Sequence, residues 1–145
     1  MTTRVTEAPP ADPAAACSHF AARLAFETDC SDVHHAMRGG APDFVLLDVR
    51  SPQLFAVSHL PGAINLPTRT IAAESLAAFP PETVFVTYCA GPHCNGSTKA
   101  ALRIARLGRP VKEMIGGITG WLDEGLPLAH GAAAPVPASC GCGDT

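Results

Sequence analysis

VFVTYCAGPHCNGSTKAALRIARLG, residues 84–108, contains a strand, a loop and a helix in that order. Val84 to Tyr88 is an apolar run opened by Pro80-Pro81, and it reads as a buried strand. Lys99 to Leu107 reads as the clearest helix of the chain. Lys99, Arg103 and Arg106 share one face, Ala101, Ile104 and Ala105 share another, and Gly108 ends it. The loop between them holds two glycines, one proline and two cysteines.

Outward from this run the same alternation continues. Phe44 to Val49 (FVLLDV) follows a Gly-Gly-Ala-Pro break and reads as a second buried strand. Val111 to Ile115 supplies a third, Ala63 to Leu66 a short fourth, and Leu24 to Phe26 a fifth. Helices fit between them. One runs from Asp32 to Arg38, capped by Ser31 and stopped by Gly39. Another begins at Pro52 after Ser51, and a third spans Thr70 to Phe79. Strands alternating with helices predict an α/β domain whose parallel sheet is flanked by helices on both faces. Residues 1–18, rich in Ala, Pro and Thr, read as a flexible leader. Residues 19–128 form the domain. Residues 129–145 read as a flexible Pro/Ala/Gly tail that carries Cys140-Gly141-Cys142.

A length of 145 residues favours one domain. Hydrophobic residues make up 47% and charged residues 16%, a globular balance. The net charge of −3 lacks the basic surplus of a nucleic-acid footprint. The N-terminal segment lacks the apolar stretch of a signal peptide, and no apolar run is long enough to span a bilayer. The expectation is therefore a cytoplasmic protein with reduced thiols. In that setting Cys17, Cys30, Cys89, Cys94, Cys140 and Cys142 are not read as a disulfide framework, because thiols there are more often catalytic or metal-binding. Cys89, His93 and Cys94 match no strong zinc pattern, so no metal is expected there.

Cys89 stands just past the carboxyl end of a parallel strand, where open α/β sheets bind ligands. The loop Ala90, Gly91, Pro92, His93, Cys94, Asn95, Gly96, Ser97, Thr98 and Lys99 can curl its N–H groups inward as an anion nest. The helix that follows adds its positive end. Such a setting lowers a thiol pKa and would hold an anionic substrate. The structural alternative is a buried thiol that only packs the strand end. Cys94 reads as a resolving thiol, a second sulfur carrier or a passive loop residue. The Cys140-Gly141-Cys142 tail is read as incidental.

Three stretches together resemble the rhodanese-like family. They are Leu47-Asp48-Val49-Arg50 with His59-Leu60-Pro61-Gly62-Ala63-Ile64-Asn65-Leu66-Pro67, then Tyr88-Cys89 with its Gly-containing loop and Lys99-Ala100-Ala101-Leu102, then Gly116-Gly117-Ile118-Thr119-Gly120-Trp121 through Gly125-Leu126-Pro127. Their order and spacing cover roughly residues 30 to 128. The resemblance implies a five-stranded parallel sheet and a thiosulfate sulfurtransferase that carries sulfur as a persulfide on Cys89. It also implies a small anionic donor such as thiosulfate or another persulfide, a cyanide or thiol acceptor, ping-pong kinetics and no cofactor. Asp48 and Arg50 are expected to support the loop or pair internally, and His59 is expected to be structural. Gly116, Gly117 and Trp121 are expected to serve a tight turn and core packing.

This loop departs from the usual family pattern. It is longer, it contains no Arg, and Lys99 is its nearest cation. Aligning Cys94 as the nucleophile would put Lys99 in the Arg position. Cys89 is preferred because the run Val84 to Tyr88 delivers it to the sheet edge. A longer cysteine loop also fits arsenate reductases and phosphatases, although their oxyanions favour a bidentate Arg. A redox or sulfide-sensing module is the non-enzymatic alternative.

Overall fold

The computed structural model describes residues 1–132. In chain order the elements are helix α1 (Pro13–Phe26), strand β1 (Glu27–Thr28), α2 (Cys30–Arg38), β2 (Phe44–Asp48), α3 (Pro52–Val57) and β3 (Ile64–Asn65). A single 3-10 turn (Thr68–Thr70) follows, then α4 (Ala73–Leu76), β4 (Val84–Tyr88), α5 (Gly96–Arg106), β5 (Val111–Met114) and α6 (Gly117–Asp123).

The five strands form one parallel sheet in the order β1-β5-β4-β2-β3. β4 lies at its centre. It pairs with β2 from Phe44↔Val84 to Asp48↔Tyr88, and with β5 from Phe85↔Val111 to Thr87↔Glu113. Because side chains alternate along a strand, neighbouring residues feed opposite faces. Leu47 and Phe85 pack on one face with Ile71, Leu76, Ala100 and Ile104. Leu46, Val86 and Tyr88 pack on the other with Val33, Leu60 and Trp121. Both faces are thus covered, as a parallel sheet requires. All strands run the same way, so the residues after β2, β4 and β5 emerge at one edge. No described helix is long and apolar enough to cross a membrane.

Local chemistry explains where the elements depart from expectation. α1 begins inside the segment expected to be a flexible leader. Asp12 accepts the N–H of Ala14, Pro13 occupies the first turn, and six of the fourteen helical residues are alanine. Leu24 to Phe26, expected as a strand, is the last turn of this helix, and the edge strand falls at Glu27–Thr28. α2 is capped by Asp29, whose carboxylate accepts the N–H of Asp32 at 2.8 Å, and not by Ser31. α3 is capped by Ser51 as expected.

The helix expected over Thr70 to Phe79 is broken into the 3-10 turn and α4. Thr70 Oγ1 donates to the Pro67 carbonyl, while Ser75 Oγ accepts the N–H of Ala72. These side-chain bonds compete with a continuous helical ladder. α5 starts at Gly96, three residues before the expected Lys99, and it buries Ser97, Ala100 and Ile104 rather than the Ala101–Ala105 face.

Candidate active site

The strand that delivers Cys89 is anchored from below. Tyr88 is fully buried, and its phenol donates to Asp48 Oδ2 at 2.7 Å while accepting the N–H of Leu60 at 3.1 Å. Arg50 grips the same buried carboxylate in a bidentate pair, with Nε to Oδ1 at 3.1 Å and Nη2 to Oδ2 at 2.7 Å. Its Nη2 also donates to the Ser58 carbonyl at 2.6 Å. Asn65 Nδ2 donates to the carbonyls of Asp48 and Arg50. Burial first, and the Asp48 carboxylate second, hold the Tyr88 phenol well above its ordinary value of 10.0. Asp48 and Arg50 are therefore an internal ion pair, linked through Tyr88 to the strand that precedes Cys89. His59 serves the fold: its ring stacks on Phe55 at 3.6 Å, and Nδ1 meets the Phe55 carbonyl at 2.8 Å.

The loop above is closed by its own backbone and by α6. Cys94 N–H donates to the Gly91 carbonyl at 3.0 Å, turning the chain over Pro92-His93. Ile118 N–H holds the Cys89 carbonyl at 3.1 Å, and Thr119 holds the Ala90 carbonyl through its N–H and its hydroxyl. Gly117, at φ +58°, allows this approach, since a Cβ there would lie 2.5 Å from the Cys89 carbonyl oxygen.

The two loop sulfurs are in direct contact, with Cys89 Sγ and Cys94 Sγ 2.7 Å apart. Cys89 is 8% exposed, while Cys94 is more open. Gly96 N–H donates to Cys94 Sγ at 3.4 Å. Gly96 also makes room for the pair, because a Cβ there would sit 2.7 Å from Cys89 Sγ.

Burial first, and the hydrogen bond with Cys94 second, push the Cys89 thiol up from 9.0 to about 11. The hydrogen bond from Cys89, then the Gly96 N–H, pull Cys94 below its ordinary value, and Lys99 adds a smaller attraction. In the resting pair Cys89 keeps the proton and Cys94 takes the negative charge first. This reverses the expectation that the loop lowers the pKa of Cys89. The buried sulfur has another thiol as a nearest polar neighbour, and that neighbour takes the charge.

Both sulfurs face a cleft of about 200 Å³ that also touches Ser97, Thr98, Glu113 and Gly117. Cys94 lines a second, more open cleft with Ala90, Pro92, His93, Asn95 and Thr98, so it stands between Cys89 and that outer surface. Lys99 is exposed on α5. Glu113 is a site residue that the sequence reading missed. Its Oε2 accepts from Ser97 Oγ at 3.1 Å and Thr98 Oγ1 at 2.8 Å, placing a carboxylate at the start of α5. The sequence offers only a charged pair, Lys112-Glu113, within a strand run. Cys30 is buried and donates to the carbonyls of Ile115 and Gly117. Cys17 is exposed, and Cys140 and Cys142 lie outside the described residues. Among the described residues, no group of three or more His, Cys, Asp or Glu is arranged to hold a metal ion.

The family model of the rhodanese-like domain matches residues 30–124. The chain belongs to the rhodanese-like domain family. It is 38% identical over 101 residues to the HTH-type transcriptional regulator Rv0324 of Mycobacterium tuberculosis, a match that covers 65% of this chain and 44% of that protein. The chain thus spans less than half the length of this relative. It is 31% identical over 86 residues to a sulfurtransferase of Allochromatium vinosum, covering 59% of this chain and 78% of that one. Among solved structures, the BH2092 protein from Bacillus halodurans aligns with a TM-score of 0.80 at 34% identity, covering 89% of this chain and 96% of that one. These likenesses bear out the five-stranded parallel rhodanese-like architecture. Within this rhodanese-like domain, the Cys89 loop joins β4 to α5, and the Gly116-Gly117 turn closes over it.

Proposed function

We propose that this rhodanese-like domain is a sulfurtransferase that takes sulfane sulfur from thiosulfate or a persulfide donor and carries it as a persulfide on Cys89. The observation that carries this reading is the position of Cys89. Its sulfur stands at the carboxyl end of the central strand, inside a loop-walled cleft beside a second thiol. The sulfurtransferase from Allochromatium vinosum supports it by likeness.

Cys89 passes its proton to Cys94 as it attacks the outer sulfur of the donor. With thiosulfate, the new S–S bond forms on Cys89 and sulfite leaves with the electron pair of the bond that breaks. Loop amides between Ala90 and Ser97 and the start of α5 hold the anionic donor. Cyanide or a thiol then removes the outer sulfur. Glu113 faces the same cleft, so a dianion meets repulsion there, and a persulfide donor of lower charge is favoured over thiosulfate.

The test is thiosulfate:cyanide turnover of the wild type and Cys89→Ser. Initial-rate lines at varied cyanide should run parallel, and turnover should be lost in Cys89→Ser. Unimpaired turnover in that variant would assign the chemistry to Cys94. A second reading is a sulfide- or redox-sensing module, favoured by the likeness to a transcriptional regulator. Under that reading Cys89 takes up sulfur but shows negligible turnover with any acceptor.

A further inference from the structure

We infer that Cys94 is a resolving thiol that attacks the Cys89 persulfide and releases sulfide, so that the domain is a thiol-dependent sulfane-sulfur reductase as well as a carrier. The inference rests on the sulfurtransferase reading and adds an internal acceptor to it. Three geometric facts support it. The two sulfurs are already in contact at 2.7 Å. The turn closed by Cys94 N–H on the Gly91 carbonyl, and the Gly96 N–H given to Cys94 Sγ, hold the second thiol at that point. Gly96 leaves room beside the two sulfurs, where a Cβ would lie 2.7 Å from Cys89 Sγ and 3.4 Å from Cys94 Sγ.

Held there, Cys94 competes with every external acceptor at the advantage of an intramolecular reaction. It is also the member of the pair that carries charge first, as an attacking thiol must. The electron and proton balance closes within the site. After loading, Cys89 bears S–S⁻ and Cys94 holds the proton received from Cys89. That proton moves to the outer sulfur, giving Cys89–S–SH and a Cys94 thiolate. Cys94 attacks the Cys89 sulfur, the Cys89–Cys94 bond forms, the outer S–S bond breaks, and HS⁻ leaves with its electron pair. The disulfide is then reduced by an external dithiol or by two monothiols, which are themselves oxidised to a disulfide. With thiosulfate as donor, thiosulfate and two thiols give sulfite, hydrogen sulfide and a disulfide.

The experiment is a single turnover with no acceptor. Fully reduced, desalted protein is mixed with excess thiosulfate, and in parallel with glutathione persulfide. Released sulfide and intact mass are followed, and peptides are mapped without reduction. In the wild type, about one sulfide per chain should appear over the donor-only blank, with no retained sulfur and a linked Cys89–Cys94 peptide. Cys94→Ser should keep one added sulfur on Cys89 and release none. With dithiothreitol present, Cys94→Ser should release sulfide roughly tenfold more slowly than the wild type, because the thiol must then arrive from solution. A wild type that holds the added sulfur stably, with no linked peptide and no sulfide, overturns the resolving role and leaves the carrier role standing. Failure of wild type and Cys94→Ser alike to take sulfur from either donor overturns both readings.

Discussion

Two thiols at 2.7 Å share a proton unequally, and the sharing is open to titration. In the wild type, alkylation near neutral pH should fall on Cys94, while Cys89 responds only as the pH approaches about 11. The hydrogen bond and the charge of Cys94 both raise Cys89, so Cys94→Ser should bring the Cys89 thiol down and speed its alkylation at pH 8. An unchanged Cys89 profile in that variant would leave burial alone as the cause. Glu113 invites the second test at this scale. Its carboxylate lies at the cleft with two hydroxyls donated to it, where the proposed anionic donor would meet that charge. Glu113→Gln should lower the KM for thiosulfate about threefold to tenfold, with a larger gain at low salt. Equal KM values at low and high salt would show that the donor never senses this charge.

At the scale of elements, the β4–loop–α5 unit joins a helix start to the sulfur pair. Gly96 serves both, and its two roles can be separated. In a helix interior alanine is favoured over glycine by about 1 kcal/mol, but Gly96 is the first residue of α5 and gains less, and an alanine Cβ there would meet Cys89 Sγ at 2.7 Å. Gly96→Ala should therefore change Tm little while sulfur transfer falls by about tenfold or more. Activity and Tm falling together would point to general loop disruption. Beneath the loop, β2 and β4 are tied by Asp48, Arg50 and Tyr88. Arg50 is only 8% exposed, so Asp48→Ala strands a buried cation and should cost about 3–5 kcal/mol in a denaturant titration. A loss below 1 kcal/mol would mean that water replaces the carboxylate. The expected helices over Lys99–Leu107 and Thr70–Phe79 also differ in how legible they were. The first is amphipathic, and only its start was misplaced, because Gly96 to Thr98 read as loop. The second is broken by hydroxyl bonds to the backbone, which composition does not reveal.

Over the whole molecule, buried acids set the response to alkali. Cys30 is pushed from 9.0 to about 11 by burial first, then by Asp29 and Glu124, and Cys89 is raised to the same level. Tyr88 is raised further, again by burial first. Each group binds its proton more tightly in the folded chain than in the unfolded one. For the two thiols this contribution is therefore complete below about pH 9 and is lost as pH rises through about 11, while Tyr88 holds its proton beyond that range. Tm should be level from pH 7 to 8.5 on this account and fall steeply by pH 11, less so in Cys30→Ala if that variant keeps its packing. A flat profile to pH 11 would show that these thiols ionise without unfolding the chain.

The sequence by itself determined the parallel α/β class, the central strands and the placement of two cysteines in one loop. Those features rest on local signals: apolar runs of strand length, glycine and proline breaks, and motif order. The Asp12-Pro13 helix start was equally local, but the Ala, Pro and Thr around it masked the signal. Tertiary structure alone decided which thiol keeps the proton, because burial and a contact across the loop set that balance. It also brought Glu113 to Ser97 and Thr98, and Tyr88 to Asp48 across forty residues. Such contacts depend on strand order and register, and no short-range pattern encodes either of them.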